Sequence, residues 1–369
     1  MKNAFYAKYV SSVALSLFGM WVRITAMGYL VYEITEDPFL LGVIGVVQGA
    51  PQLVFGPLAG AYLDRWDRRK VLMGVQLVML TMMMLVTWLV WTDRVTFGWL
   101  VAISIVVGAS ASFDWPARLS IIPMLVSRRE LPSAVAINSA AFNGARVIGP
   151  AIAGWLIAAF GMAGSFFLSG AATVPFLILL IGMAATVPTA PPKRTGPAES
   201  PFKTLMEGYK YIWHTVEIRT MIGIDLFPII IGMSYISMTP AIARDVLGQG
   251  PEGLGWLLTC AGVGSPIGTL IVTRLNSWPN RGRIVLVAVM LFAVMIMFYG
   301  LSSSFYLSLV AITLVGLGYG TSSTLNDTLI QLNVDEVFRG RVMAAYSTIW
   351  GLSPAGGLLA GWMANIVGL

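Results

Sequence analysis

The sequence predicts an all-α membrane protein with 6+5 transmembrane helices, on the strength of its composition and of its apolar segments. The 369 residues are 57% hydrophobic and only 11% charged, whereas soluble domains carry roughly 25% charged residues. Lipid is therefore the solvent for most of the surface, and only helices or a closed barrel can span it. The apolar segments run about 20 residues without strict alternation, which favours helices over barrel strands.

Eleven segments are long enough to cross a bilayer. They lie at residues 10–32, 39–63, 71–91, 98–123, 133–160, 165–187, 219–243, 253–273, 284–301, 305–332 and 342–369. The first segment follows Lys2 and Lys8 and contains Arg23. It is too long for the apolar core of a signal peptide, so we interpret it as the first transmembrane helix.

The basic residues fix the expected orientation. Of the 23 Lys and Arg residues, 18 fall in loops of one side and only Arg94 and Arg244 fall in loops of the other. Positively charged loops stay in the cytoplasm, so we expect a multi-pass protein of an inner (cytoplasmic) membrane with a cytoplasmic N-terminus. The net charge of +6 is then a topology signal, and we expect no nucleic-acid partner.

One Pro-rich polar linker divides the chain into an N-terminal six-helix bundle (1–187), a cytoplasmic linker (188–215) and a C-terminal bundle with five helices (216–369). Within the linker, residues 202–213 predict a short amphipathic helix on the inner membrane face. Gly154-Trp155 in segment five recurs as Gly361-Trp362 in segment eleven, at an offset of 207. Such similarity favours a 6+6 parallel repeat, and on that plan the last helix, the twelfth, is missing.

Signatures of an enzyme are absent from the sequence. No Gly-Lys pair is present for a phosphate-binding loop, and no Gly-x-Ser-x-Gly elbow occurs. The single histidine, His214, and the single cysteine, Cys260, exclude intrachain disulfides, zinc clusters and Cys–His nucleophile pairs. We predict that the protein is not an enzyme and needs no cofactor or metal.

A short basic turn follows the second segment, after the glycine pair Gly56 and Gly60. It reads Gly60-x-x-x-Asp64-Arg65-x-x-Arg68-Arg69. The pattern resembles the loop between the second and third helices of the major facilitator superfamily, with Asp67 in place of an inner glycine. Together with stretches at 30–35, 145–150 and 339–343, it is similar to the branch that holds the enterobactin exporter and the macrolide efflux proteins.

The resemblance implies a major facilitator fold of two pseudo-symmetric bundles and a gating role for the basic turn. The implied gating motif is Gly56, Gly60, Asp64, Arg65, Arg68 and Arg69. The glycines let helix two approach a neighbour closely, and Asp64 would sit against the positive amino end of segment eleven near Gly340 and Arg341. The alternative is that the basic residues are only cytoplasmic anchors.

Segment five carries a second motif that is similar to the antiporter motif of drug exporters in this superfamily. It comprises Gly144, Gly149, Pro150 and Gly154. Pro150 removes a backbone donor and loosens the helix, and the glycines permit close packing. The resemblance implies export; the alternative is ordinary packing between transmembrane helices.

Ionisable groups inside a membrane are costly, so each is a candidate for function. Asp225 is our first candidate for proton coupling, followed by Asp114 and Asp327, because a carboxylate in apolar surroundings can bind and release a proton. Asp114 and Arg118 are four residues apart, so an ion pair between them is the structural alternative. Candidates for contact with substrate in a central cavity are Arg23, Gln48, Asn138, Asn143 and Arg146.

Taken together, these residues predict a secondary active exporter of amphipathic small molecules, drug-like or siderophore-like, that works by proton antiport and alternating access. Its partners would be the small-molecule substrate, protons and the lipid bilayer, and we expect a monomer. A different hypothesis, motivated by the missing helix, is an inactive or truncated transporter that serves as a membrane scaffold. A membrane-embedded enzyme is a third, weakened by the absence of catalytic constellations.

Overall fold

The computed structural model describes residues 2–63, 66–183, 201–232, 234–275 and 280–368, and these residues form helices joined by short turns. The helices are α1 (Lys2–Thr35), α2 (Pro38–Leu63), α3 (Arg68–Trp91), α4 (Phe97–Leu125), α5 (Leu131–Ala171), α6 (Val174–Gly182), α7 (Pro201–His214), α8 (Val216–Leu226), α9 (Ser234–Ala241), α10 (Pro251–Leu275), α11 (Arg281–Leu301), α12 (Phe305–Asn333), α13 (Glu336–Trp350) and α14 (Ser353–Val367). The predicted all-α class is confirmed.

Nine helical stretches in the described part of the chain are long and apolar enough to cross a membrane. Their outer faces are apolar: Val287, Met290 and Met297 of α11 are each about two-thirds exposed. Large exposed apolar side chains in such numbers fit a surface that faces lipid rather than water.

The predicted count of eleven spans is not confirmed, for two structural reasons. Segments five and six form one helical range, Leu131–Gly182, which changes direction at Gly161 (φ 69°). That positive φ is one that glycine adopts without strain. Segment eleven is divided into α13 and α14 by a turn at Gly351 and Leu352, so neither half reaches the length of a span. The 6+5 arrangement stays a prediction.

Residues 216–232 and 234–246 are helical but irregular. Two π-helical turns, Phe227–Gly232 and Ile242–Val246, alternate with α8 and α9. Pro228 lies in the first π turn and Pro240 lies just before the second. Proline has no backbone N–H and disrupts the regular ladder of hydrogen bonds, and π turns often occur at functional sites. Asp225 therefore lies at the end of a regular helix, directly before an irregular turn.

The described residues group into two compact units. The first contains residues 1–35 and 50–197, and the second contains residues 36–49 and 198–369. In the first unit, Tyr9, Leu17, Ile121 and Phe176 form a buried core. The second unit has its own core, which includes Ile218, Ile330 and Tyr346. The division into bundles at 1–187 and 216–369 stays a prediction, and the linker stretch 184–200 lies outside the described residues.

The amino end of α2 packs within the second unit. A Cβ atom at Gly42 would lie 2.5 Å from Cα of Leu358, so the two backbones are in close contact. Asn365 Nδ2 donates a hydrogen bond to Oδ1 of Asp37 over 2.7 Å. Small residues commonly allow such approaches between membrane helices. Residues 36–49 are therefore held by α14, near the other end of the sequence.

The predicted amphipathic helix of the linker is confirmed as α7, Pro201–His214. It packs on α13: the rings of Tyr211 and Phe338 stack with centroids 4.8 Å apart. Arg341 Nη1 lies 2.7 Å from Oε2 of Glu207. The helix is therefore fixed to the second unit by both an aromatic contact and an ion pair.

Candidate functional site

A buried polar network crosses the first unit between α1, α3 and α4. Arg118 Nε pairs with Asp114 Oδ2 at 2.7 Å, and Gln76 Nε2 donates to Asp114 Oδ1 at 2.7 Å. Ser16 Oγ accepts from Arg118 Nη2 at 2.9 Å and donates to Gln76 Oε1 at 3.2 Å. The ring of bonds is closed, so each member helps to orient the others.

The ion pair predicted between Asp114 and Arg118 is confirmed, although Pro116 lies between them in the same helix. The Arg118 side chain is 3% exposed and that of Asp114 is 15% exposed. The guanidinium also lies 4.6 Å from the centre of the Phe176 ring, a cation–π contact. Asp114 is thus engaged through both of its oxygens, which favours a structural role over proton transfer.

Arg23 lies beside this network but outside it. It is 7% exposed, its Nη1 atom is buried without a hydrogen-bond partner, and it takes part in none of the ion pairs found among the residues that the structure describes. It lines a small cavity of about 50 Å³ together with Asp114 and Arg118. Arginine stays charged at any physiological pH, so this cavity holds an unpaired positive charge.

The second unit contains a different buried cluster, between α8, α12 and α13. The Tyr346 hydroxyl donates to Oδ2 of Asp225, which is 3% exposed, and also interacts with the carboxylate of Asp327. Asn326 lies within hydrogen-bonding reach of the Asp225 carboxylate and donates to the carbonyl oxygen of Met221 over 2.9 Å. Oδ1 of Asp327 is buried without a partner. Two of the predicted proton-coupling residues therefore meet at one tyrosine.

The predicted substrate contacts lie in different surroundings. Asn138 is buried on α5, and Asn143 donates to the carbonyl oxygen of Ser139 in its own helix over 2.9 Å. The Arg146 guanidinium lies 6.0 Å from the centre of the Trp21 ring. Gln48, which belongs to the second unit, has a buried Nε2 atom without a partner. These assignments stay predictions.

The basic turn is only partly described. Asp64 and Arg65 lie outside the described residues, and Gly56 and Gly60 lie in α2. Nη1 of Arg68 donates to the carbonyl oxygen of Ser120 over 3.2 Å, and Nη1 of Arg69 donates to that of Leu180 over 3.3 Å. The two arginines therefore join the start of α3 to α4 and to the last turn of α6, where a cation is favourable.

Asp67, which replaces a glycine in the resembled motif, has a local role. Its carboxylate accepts from the backbone nitrogen of Arg69 at 2.9 Å and of Lys70 at 3.4 Å. It is the N-cap of α3, and aspartate is among the preferred residues at this position because it satisfies free N–H groups. The departure from the family pattern thus stabilises the start of the helix.

The glycine motif of segment five packs on α1. A Cβ atom at Gly149 would lie 2.5 Å from Cβ of Trp21, whereas one at Gly144 would meet nothing within 4 Å. Pro150 and Gly154 are both buried. Gly149, unlike Gly144, is therefore a position where the structure requires the absence of a side chain.

An open apolar groove of about 900 Å³ runs along α2, α3 and α4 in the first unit. Its walls include Phe55, Val71, Val78 and Phe113, and its charged lining residues are Asp67 and Lys70. A groove of this size and character matches the volumes typical of small-molecule sites.

Sequence analysis missed the polar residues that complete both clusters, which are Ser16, Gln76, Asn326 and Tyr346. Gln76 carried a signal, because a glutamine within the apolar segment at 71–91 must find partners there. Tyr346 carried none, since tyrosine is common near membrane boundaries. In the described part of the chain, no three or more His, Cys, Asp or Glu residues are grouped so as to hold a metal ion.

Comparison with known proteins covers the whole chain. A family model described as transmembrane secretion effector matches residues 1–369. The multidrug efflux pump Tap of Mycolicibacterium fortuitum is 26% identical, over 95% of this chain and 87% of Tap. The staphyloferrin A transporter of Staphylococcus aureus is 24% identical, over 98% of this chain and 90% of its own length. The enterobactin exporter EntS of Shigella boydii is 26% identical, over 92% and 79% respectively.

Solved structures with similar folds are transporters. A bacterial homologue of the human lysosomal transporter Spinster, in an inward-facing unoccupied conformation, superposes with a TM-score of 0.75 at 15% identity, over 99% of this chain and 83% of its own. A bacterial homologue of the iron transporter ferroportin, in an inward-facing state, gives a TM-score of 0.69 at 16% identity, over 99% and 98%. At these identities the likeness concerns the fold.

Proposed function

Because this chain belongs to the transmembrane secretion effector family of the major facilitator superfamily, whose members are transporters and not enzymes, we propose that it is a secondary active exporter of amphipathic small molecules, drug-like or siderophore-like. The observation that carries the proposal is the set of relatives, which are an efflux pump and siderophore transporters matched over 79–90% of their own length. The drug-like or siderophore-like character of the substrate is proposed from the substrates of these relatives.

We place proton coupling at the Asp225–Tyr346–Asp327 cluster. Two carboxylates that contact one hydroxyl group repel each other when both are charged, and a single proton shared by the pair removes that repulsion. The free Oδ1 atom of Asp327 is a position where such a proton can enter. Asp114 is a weaker candidate, because Arg118 and Gln76 already satisfy it.

We infer that the substrate carries an acidic group, because the membrane-embedded Arg146 could bind it. It has a cation–π contact with Trp21 and no carboxylate partner among the ion pairs of the described residues. Arg23 is less suited to this role, because its cavity of about 50 Å³ is far below the roughly 300 Å³ that a drug-sized ligand needs.

We propose alternating access as the transport cycle, gated by the basic turn after α2, in a monomer of an inner (cytoplasmic) membrane with a cytoplasmic N-terminus. The distribution of Lys and Arg between the loops supports the orientation. The bonds of Arg68 and Arg69 to carbonyl groups of α4 and α6 brace the turn within the first unit. The gating proposal also requires that Asp64 contact the amino end of segment eleven.

The test is efflux from proteoliposomes that contain the purified protein, with fluorescent amphipathic drugs and a siderophore as substrates. An imposed pH gradient should drive uphill transport by the wild type. Asp225→Asn should abolish uphill transport while downhill movement of the same substrate continues, since only the proton site is lost. The matched control is Glu217→Gln, which removes an exposed carboxylate from the same helix and should leave uphill transport unchanged.

Two results would overturn parts of this proposal. Absence of any substrate movement by the wild type, up or down a gradient, would favour the scaffold hypothesis. Gradient-driven transport by Asp225→Asn at the wild-type rate would keep the exporter and remove Asp225 from proton coupling. Because both directions of flux are measured, a variant that merely misfolds is recognised by the loss of both.

A further inference from the structure

The small cavity of the first unit has an unbalanced charge. Its charged wall residues are Arg23, Arg118 and Asp114, two cations and one anion. A buried charge without a counterion is strongly unfavourable even after the protein relaxes around it, and arginine cannot relieve that cost by losing its proton. The cavity therefore has a net positive charge that nothing in its wall neutralises.

The strong acceptors of the wall are already used. Both carboxylate oxygens of Asp114 accept hydrogen bonds, one from Arg118 and one from Gln76. Gln76 Oε1 accepts from Ser16, and Ser16 Oγ accepts from Arg118. Arg23 thus meets a network whose acceptors are already used, and its Nη1 atom, like Nη1 of Arg118, is buried without an acceptor.

The size of the cavity limits what can supply that acceptor. About 50 Å³ holds a few particles of water size, since one water needs roughly 10–15 Å³ by this measure. A water molecule would accept the hydrogen bond from Arg23 but would not neutralise its positive charge. A small inorganic anion would satisfy both, and the methionine side chains of Met20, Met79 and Met83 on the wall would screen it from bulk water.

We propose that this cavity binds a small inorganic anion, chloride being the physiological one, as the counterion of Arg23. The proposal names a ligand that is neither the exported substrate nor the proton, and it does not depend on the transport function. The bound anion would hold the α1 arginine next to the α4 ion pair.

The experiment is a thermal-unfolding titration of the full chain in detergent, with chloride replaced by gluconate at constant ionic strength. A ligand that binds the folded state alone raises its stability with concentration, so the wild-type melting temperature should rise by about 2–4 °C at saturating chloride. Arg23→Met should show no rise. In gluconate, this variant should melt at or above the wild-type temperature, because it lacks the uncompensated charge.

Arg146→Gln is the matched control, since Arg146 is another membrane arginine that does not line the cavity; it should keep the chloride response. As a direct measurement, crystals grown in bromide should show an anomalous peak within hydrogen-bonding distance of the Arg23 guanidinium. Equal melting temperatures of the wild type in the two salts would overturn the proposal, as would a chloride response that persists in Arg23→Met. An acidic substrate that stabilises the wild type where chloride does not would also overturn it.

Discussion

At the scale of the residue, Asp114 and Arg118 form an ion pair whose partners depend on each other. Both side chains are largely buried, and within the described residues the Arg118 side chain donates hydrogen bonds to Asp114 and Ser16. A buried charge that loses its partner is strongly destabilising, whereas an apolar replacement of both partners is often tolerated. The pair is therefore expected to behave differently under single and double substitution.

Asp114→Leu should destabilise the protein by about 3 kcal/mol, because Arg118 would stay buried and unpaired. The double variant Asp114→Leu, Arg118→Met should recover most of that loss. The measurement is the melting temperature of each purified variant, with the single Arg118→Met change completing the cycle. A double variant that is as unstable as Asp114→Leu alone would show that the cost comes from packing and not from charge.

Residue spacing predicted this pair but could not predict the state of Arg23. Positions four apart on one helix meet for reasons of helix geometry alone, so Asp114 and Arg118 could be paired from the sequence. Whether Arg23 has a partner depends on three other helices that surround it. The same limit applies to Tyr346, which reaches Asp225 across a distance of 121 positions in the chain.

At the scale of the element, the contact between α1 and α5 includes one glycine of the segment-five motif, Gly149. Gly149 faces Cβ of Trp21, while Gly144, five positions earlier in the same helix, faces open space. Both belong to the motif that resembles an antiporter signature, yet only one of them is required for packing. Substitutions at Gly149 and Gly144 therefore distinguish the effect of a close helix contact from the effect of glycine on backbone flexibility.

Gly149→Ala should destabilise the protein by about 1–3 kcal/mol, since the added methyl group forces α1 and α5 apart. Gly144→Ala should be neutral, or stabilising by up to about 1 kcal/mol through helix propensity. Melting temperatures in detergent distinguish the two, and transport in proteoliposomes shows whether the contact also matters for function. Equal losses of stability at both positions would contradict the packing role of Gly149.

Element boundaries were predicted unevenly, for physical reasons. The break between segments five and six was expected near residues 160–165 and occurs at Gly161, where glycine permits the backbone to turn. The irregularity of residues 216–246 was not predicted, although Pro228 and Pro240 were visible in the sequence. Proline lowers the regularity of a helix but does not specify whether a kink, a π turn or a break results.

At the scale of the whole molecule, the charge of the loops predicts which ends of the helices face the cytoplasm. Ser127 and Thr92 are exposed at opposite ends of α4, one past its end and one before its start. The only cysteine, Cys260, can be replaced to give a background without reactive thiols. The orientation is then testable with two single-cysteine variants.

In a Cys260→Ala background, Thr92→Cys should react with a membrane-impermeant maleimide added to whole cells. Ser127→Cys should react only after the membrane is permeabilised, because positively charged loops remain cytoplasmic. Labelling of detergent-solubilised protein at both positions is the control for accessibility. The opposite pattern in cells would reverse the orientation of the chain without affecting its fold.

The placement of residues 36–49 has a consequence for how the polypeptide can be divided. Although they lie near the N-terminus, Gly42 and Asp37 contact Leu358 and Asn365 in the last helix. A cut in the linker at 188–215 would therefore give a carboxyl-terminal fragment that lacks part of its own packing. Such a fragment should be proteolysed when it is expressed alone and should be protected when the amino-terminal fragment is co-expressed. The boundary between the two folded units therefore does not coincide with the linker in the sequence.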